Sequence, residues 1–295
     1  MNLQNIFSEI ETKDEAFYER MDTRRGAMKQ FARVSGKVAV AAMPFMLGSM
    51  FKKAYGQTNT DVINTLKFAL TLEYLEAFFY QQGVASVAIS AAAGAQNTAG
   101  LTIIRDHENQ HVQFLRATLT ALGDNTAPVM TAANFDYSGG NGSGTGPFAG
   151  VFTNYDIFLA VAQTFEDTGV RAYKGGAPSL MNNNDVLTAA LRIHSVEARH
   201  AAHIRHMRRV RGSAVPGPLY AGVNLPKPWI ENAESNIGGA AGAIVQSNYA
   251  VEDNVSQQGI NTATVASVSN TVASRAFDEP LLQPQVMVLI DPFII

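Results

Sequence analysis

The 295-residue chain contains no cysteine. That excludes a disulfide framework, a thiolate metal site and a cysteine nucleophile together. It has no excess of positive charge either. Lys and Arg number 22 against 25 Asp and Glu, a net charge of −3, so nothing favours nucleic acid as a partner. No apolar run near the N-terminus is long enough to span a bilayer: Val38 to Met50 is short and broken by Pro44 and Gly48. There is no repeat of the solenoid type. What remains, 46% hydrophobic and 16% charged, is the composition of a globular chain rather than a disordered one.

The charge is unevenly placed. Residues 23–56 hold seven Lys or Arg and no Asp or Glu, whereas from Gln57 onward 13 basic residues face 19 acidic ones. The basic stretch opens on Arg24-Arg25, continues through the mild apolar run and ends at Lys52, Lys53 and Ala54-Tyr55-Gly56. This order resembles a bacterial twin-arginine export signal with a small-residue cleavage site. The expectation is a signal region over 1–56, a helical bundle over 57–211 and an extension over 212–295, with the protein exported to the periplasm or cell envelope. The alternative is an amphipathic N-terminal helix that stays attached.

Hydrophobic periodicity predicts four long helices. The first spans 61–82, with Leu66, Leu70, Glu73, Ala77 and Tyr80 on one face and Asp61 as its cap. The second spans about 99–122, with Leu101, Ile104, Glu108, His111, Leu115, Thr118 and Leu122 inward and Gly123 as its stop. Residues 83–98 either extend the first helix or connect it to the second. A Gly-rich segment within 124–153 cannot hold a helix and reads as a long crossover. It lacks the strand, Lys and Ser/Thr context of a phosphate loop. The third helix, about 154–174, presents Leu159, Ala162, Glu166, Gly169 and Tyr173, and Gly175 and Gly176 end it. The fourth, about 183–211, presents Leu187, Ala190, Ile193, Glu197, His200, Ile204 and Met207. Its last turns carry Arg205, Arg208, Arg209 and Arg211, the sign favoured at a helix C-terminus. Residues 212–295 read as an irregular wrap with a short helix after Asp278-Glu279-Pro280.

The helices carry an internal echo: a lone Glu, then Glu-x-x-His, twice over. Glu73 precedes Glu108 and His111; Glu166 precedes Glu197 and His200. A Glu and a His three residues apart share one helix face. Four carboxylates converging in a bundle core are costly unless compensated, and two divalent cations would neutralise them. The oxygen and imidazole donors suit two iron or two manganese ions. The bland alternative is a metal-free hydrogen-bond network. Glu76, one turn from Glu73, could replace it as ligand. Tyr80 and Tyr173, each seven residues after a lone Glu, are candidate hydrogen-bonding or electron-relay groups, or core aromatics with a satisfied hydroxyl. His107 should point away into solvent, His194 could stand behind the ligands, and His203 and His206 read as a solvated helix end or an accessory metal site.

These residues resemble the ferritin-like superfamily. Leu72-Glu73-Tyr74-Leu75-Glu76-Ala77-Phe78-Phe79-Tyr80 is similar to a ferritin first helix, and His107-Glu108-Asn109-Gln110-His111 to its second. The closer resemblance, over roughly residues 60–295, is to the bacterial and fungal group that includes desiccation-related proteins. It extends to Phe277-Asp278-Glu279-Pro280-Leu281 and the ending Asp291-Pro292-Phe293-Ile294-Ile295. The resemblance implies an all-α, ferritin-like four-helix bundle with a long crossover between its second and third helices. It implies half-sites of Glu73, Glu108 and His111, and of Glu166, Glu197 and His200. The paired His residues resemble rubrerythrin, bacterioferritin or manganese catalase more than storage ferritins. The chain lacks the Cys-based iron domain of rubrerythrin, and its tail does not suit a 24-subunit cage. The expected function is redox chemistry on oxygen or peroxide at a di-iron or di-manganese site, in a chain that can form homo-oligomers. The alternatives are a structural, stress-protective envelope protein and a metal-sequestering one.

Overall fold

The computed structural model describes residues 60–257 and 259–295. The export motif and the proposed signal region through residue 56 lie outside them. Four long helices dominate: α1 (Thr60–Ala85), α2 (Val87–Ala121), α3 (Tyr155–Gly176) and α4 (Asn184–Ala214). They form two hairpins, α1 with α2 and α3 with α4, as an all-α four-helix bundle with a long crossover between the hairpins. The short elements α5 (Gly239–Val245), α6 (Thr262–Ala266), α7 (Asn270–Ser274) and α8 (Gln283–Ile290) follow, with a two-residue antiparallel pair, Ser256–Gln257 against Ile260–Asn261.

Local chemistry sets the boundaries. The Ser86 side chain accepts a hydrogen bond from Ile89 N and starts α2 only one residue after α1 ends, so residues 87–98 belong to the second helix, which is interrupted at Gly94. Gly123, at φ 81°, closes α2: its N–H bonds to Thr120 O, and Asp124 N to Leu119 O. Asn154 and Asn183 cap α3 and α4 through their side-chain carbonyls. Asp61 lies in the first turn of α1 rather than at its cap. Gly175 and Gly176 stay within α3, because Pro178 opens a 3-10 turn that ends it. The terminal helix starts at Gln283, later than Pro280 suggests, and Pro284 sits in its first turn.

The crossover is built around one carboxylate. Asp136 accepts hydrogen bonds from the Ser138 N–H and hydroxyl through Oδ1, and from Gly142 N and Gly144 N through Oδ2. The Gly-rich segment is thus a nest of amides filled by its own side chain. The C-terminus pins it: Asp136 N bonds to Phe293 O, Asn141 N to Pro292 O and Ile295 N to Asn134 O. Behind the crossover an aromatic layer closes one end of the core, with Phe79 stacked on Phe158 at 4.7 Å and edge-on to Phe165 at 5.2 Å.

Helix α3 is buried on every side, from Phe158 to Tyr173. One side faces the other bundle helices; the extension covers the opposite side. Arg171 donates to the carbonyls of Glu279 (2.9 Å), Asn248 and Ala250 (3.1 Å) and pairs with Glu252. Arg205 pairs with Asp167, which also accepts from the Tyr249 hydroxyl at 2.7 Å. Arg208 donates to Gln163 and to Asn236 O. Arg205 and Arg208 thus do more than supply the sign favoured at a helix C-terminus. They are 1% and 0% exposed and join the extension to the bundle. Among the described helices, α2 alone is long and apolar enough by length and composition to cross a membrane; here it is a bundle helix carrying Glu108 and His111 on its buried face.

Candidate metal centre

The apolar stripes of α1–α4 turn Glu73, Glu108, Glu166 and Glu197 inward, and each is 0% exposed; His111 and His200 are buried with them. His111 Nδ1 lies 3.0 Å from Glu73 Oε2, 3.1 Å from Glu108 Oε2 and 3.1 Å from Glu197 Oε1. His200 Nδ1 lies 2.8 Å from Glu108 Oε1 and 3.4 Å from Glu166 Oε2. The six residues form two overlapping groups of four: Glu73, Glu108, His111 and Glu197; and Glu108, Glu166, Glu197 and His200. In each group the donor atoms lie within 4.8 Å of one another, close enough to hold one cation. Glu108 and Glu197 belong to both groups, so the two cation positions share carboxylates from both hairpins. The resemblance implied one half-site per hairpin; the donor atoms instead group across the hairpins.

The tyrosines are exchanged between hairpins in the same way. Tyr80 on α1 donates to Glu166 Oε1 on α3 at 2.5 Å, and Tyr173 on α3 donates to Glu73 Oε1 on α1. Burial, followed by the charge of the bonded carboxylate, pushes both phenols well above their ordinary range. Each therefore keeps its proton and remains a donor.

Five buried polar atoms in the cluster have no hydrogen-bond partner among the described residues: Glu108 Oε1, Glu166 Oε2, both oxygens of Glu197, and His200 Nδ1. His200 Nδ1 and Glu108 Oε1 are close but not aligned as donor and acceptor. Leaving a charged group so unpartnered costs more than about 1–3 kcal/mol. A metal-free hydrogen-bond network would satisfy these atoms; a pair of cations between them does so directly. The donor set therefore fits two metal ions.

The protonation pattern reflects the same crowding. Burial raises Glu73 to about 7, with His111 pulling it down and Glu108 pushing it up. Burial also raises Glu166, which His200 opposes and Glu197 reinforces. Glu108 is lowered: burial and Glu197 act against it, but the two imidazoles beside it, His111 and His200, prevail. Burial opposes charge on the histidines, yet the neighbouring carboxylates win. Glu73 heads those raising His111, and Glu166 those raising His200, which reaches about 11.

Five side chains outside the set are now placed. Glu76 is buried beside the cluster but belongs to neither cation-sized group, so Glu73 takes the lone-Glu position. Position 169 stands to Glu166 as position 76 stands to Glu73, and it is Gly169. A Cβ there would come within 3.2 Å of Glu197 Oε2 and 3.3 Å of Glu76 Oε1, so the glycine leaves room for the fifth carboxylate. His194 turns its Nδ1 to Val170 O at 3.0 Å and does not touch the cluster. His203 and His206 enter no group of three potential ligands among the described residues. His107 was expected in solvent; instead it is half-buried with Nδ1 2.9 Å from His200 Nε2.

Searches against curated proteins and against solved structures give no significant match. A family model for a ferritin-like domain matches residues 61–209, the stretch from the first turn of α1 into the last turns of α4 that contains all six clustered residues. With half of its length matched and the bundle and paired Glu/His groups in place, the chain belongs to the ferritin-like domain family.

Proposed function

We propose that this protein is a dinuclear metal-carboxylate oxidoreductase that uses two iron or two manganese ions to react with oxygen or peroxide. The observation that supports it best is the pair of overlapping Glu/His groups with unsatisfied atoms facing one another. Oxygen and imidazole donors without thiolate suit iron or manganese. When bound, the metal pair would supply redox equivalents and open positions for a small oxidant. Glu73, Glu108, Glu166, Glu197, His111 and His200 would be its ligands.

The chain's own contribution follows from the geometry. Glu108 and Glu197 would tie the two positions together. Tyr80 and Tyr173 each hold one oxygen of Glu166 and Glu73, leaving the second oxygen turned to the cluster. Each phenol is thus one hydrogen bond from a ligand, a distance suited to passing a hydrogen atom or electron inward. Loading requires His111 and His200 to give up their protons, so metal uptake is coupled to proton release. The Arg pair and small-residue site of residues 24–56 support export to the cell envelope, and the C-terminal sequences support kinship with desiccation-related proteins.

The test is turnover. Protein loaded with Mn(II) or Fe(II) should consume peroxide or oxygen catalytically, and Glu197→Ala should lose the activity while keeping its helical content. Loaded protein that is inert toward both oxidants would remove the enzyme reading and leave the metals as a structural staple.

A further inference from the structure

The pattern of lone Glu and Glu-x-x-His assigns no role to His107, yet His107 holds His200 from behind. The Nδ1···Nε2 distance is 2.9 Å, the ring centroids are 5.2 Å apart and the planes differ by 15°. The centroid separation equals the nitrogen separation plus about one ring radius at each end. The rings therefore meet edge to edge, in the geometry of an in-plane N–H···N bond rather than a face-to-face stack.

One nitrogen of that contact must carry the hydrogen and the other a lone pair. His200 Nδ1 faces Glu108 and Glu166 and can bind a cation only through its lone pair. The remaining hydrogen then sits on Nε2, and His107 Nδ1 is the acceptor placed to take it. A ligand histidine is oriented by the group that accepts its other N–H, and here that group is a third histidine. The feature is one-sided: the residue before Glu197 is Val196, so the internal echo provides no matching imidazole.

We infer that His107 is a positioning residue. It accepts the Nε2–H of His200, fixes Nδ1 as the metal-facing nitrogen and makes the Glu108/Glu166/Glu197/His200 position the tighter of the two. This rests on the metal reading of the cluster and adds an ordered, unequal loading of its two positions.

Full-length protein is titrated with Co(II), following its visible absorption, as wild type, His107→Asn and His107→Leu. Asn keeps an acceptor oxygen where Nδ1 stands; Leu keeps bulk without it. The wild type should take two equivalents with the first bound more tightly. The Leu variant should bind that equivalent about 10- to 100-fold more weakly, and Asn should restore most of the loss. Nitrogen NMR of the metal-free wild type should show the His200–His107 bond in a coupled pair of ring nitrogens, a readout that needs no variant to fold. A Leu variant that loads like wild type overturns the role of His107, as does an Asn variant that falls as far as Leu. So does the absence of the coupled pair. A wild type that refuses Co(II) instead overturns the metal reading, and the proposal with it.

Discussion

Raising the pH should destabilise the metal-free protein. Glu73 is held at about 7 against an ordinary 4.5, chiefly by burial. Between those values the folded chain keeps a proton that the unfolded chain has released. Its stabilisation is complete below the ordinary value and is lost as pH rises through the folded one. At ~1.4 kcal/mol per tenfold change, Glu73 alone removes ~2 kcal/mol between about pH 5.5 and about pH 7.5. Glu76 and Glu166 are raised and carry the same sign. So do His111 and His200, whose raised values extend the loss above their ordinary 6.5. Glu108 is lowered and has the opposite sign, but its effect falls below 4.5, outside the window; His107, His194 and His203 are lowered by burial and oppose the trend only up to their ordinary 6.5, where the more deeply buried carboxyls outweigh them. Urea unfolding of metal-stripped protein across this range should show stability falling at each step. Adding Mn(II) should reverse the trend, because a cation displaces those protons and binds better as pH rises. Metal-free stability that is flat or rises from about pH 5.5 to about pH 7.5 would refute the assignment of these carboxyls as protonated.

Other perturbations separate the site from its supports. Tyr173→Phe removes the donor to Glu73 Oε1 and should cost ~2 kcal/mol of metal-free stability by urea unfolding while still allowing two metal equivalents to bind. Gly169→Ala drives a methyl toward Glu197 and Glu76; a loss of ~1–3 kcal/mol in the same assay is expected, with weaker Co(II) binding, and unchanged binding would count against the close approach. Arg171→Ala strips three carbonyls and Glu252 of their partner; it should cost ~3–5 kcal/mol and expose the extension to limited proteolysis, whereas a loss below ~1 kcal/mol would deny it a docking role.

The bundle and the identities of the clustered residues are legible in the sequence because both follow from one period. Glu108 and His111 continue the Leu101/Ile104/Leu115 stripe, and burial follows from that stripe alone. What a single helix cannot reveal is which side chain of a distant helix it meets. The sharing of Glu108 and Glu197 and the exchange of Tyr80 and Tyr173 between hairpins are tertiary facts. His107 was misplaced because its neighbour Glu108 faces the centre and adjacent residues diverge on a helix. Helix α4 passes on that divergent side. Gly100, seven residues before His107 on the same face, was an available signal: a Cβ there would lie 2.6 Å from His203 Nε2, so α4 approaches closely along this line. Arg205 and Arg208 look like dipole partners until the extension, 28 or more residues away, supplies Asn236 and Tyr249 as neighbours.

The most direct measurement is metal content by inductively coupled plasma mass spectrometry, on protein purified without chelator and on a Glu108→Ala/His111→Ala variant. A dinuclear centre predicts about two equivalents of iron or manganese per chain, lost in the variant. A folded wild type that carries neither metal and takes up neither when supplied would contradict it.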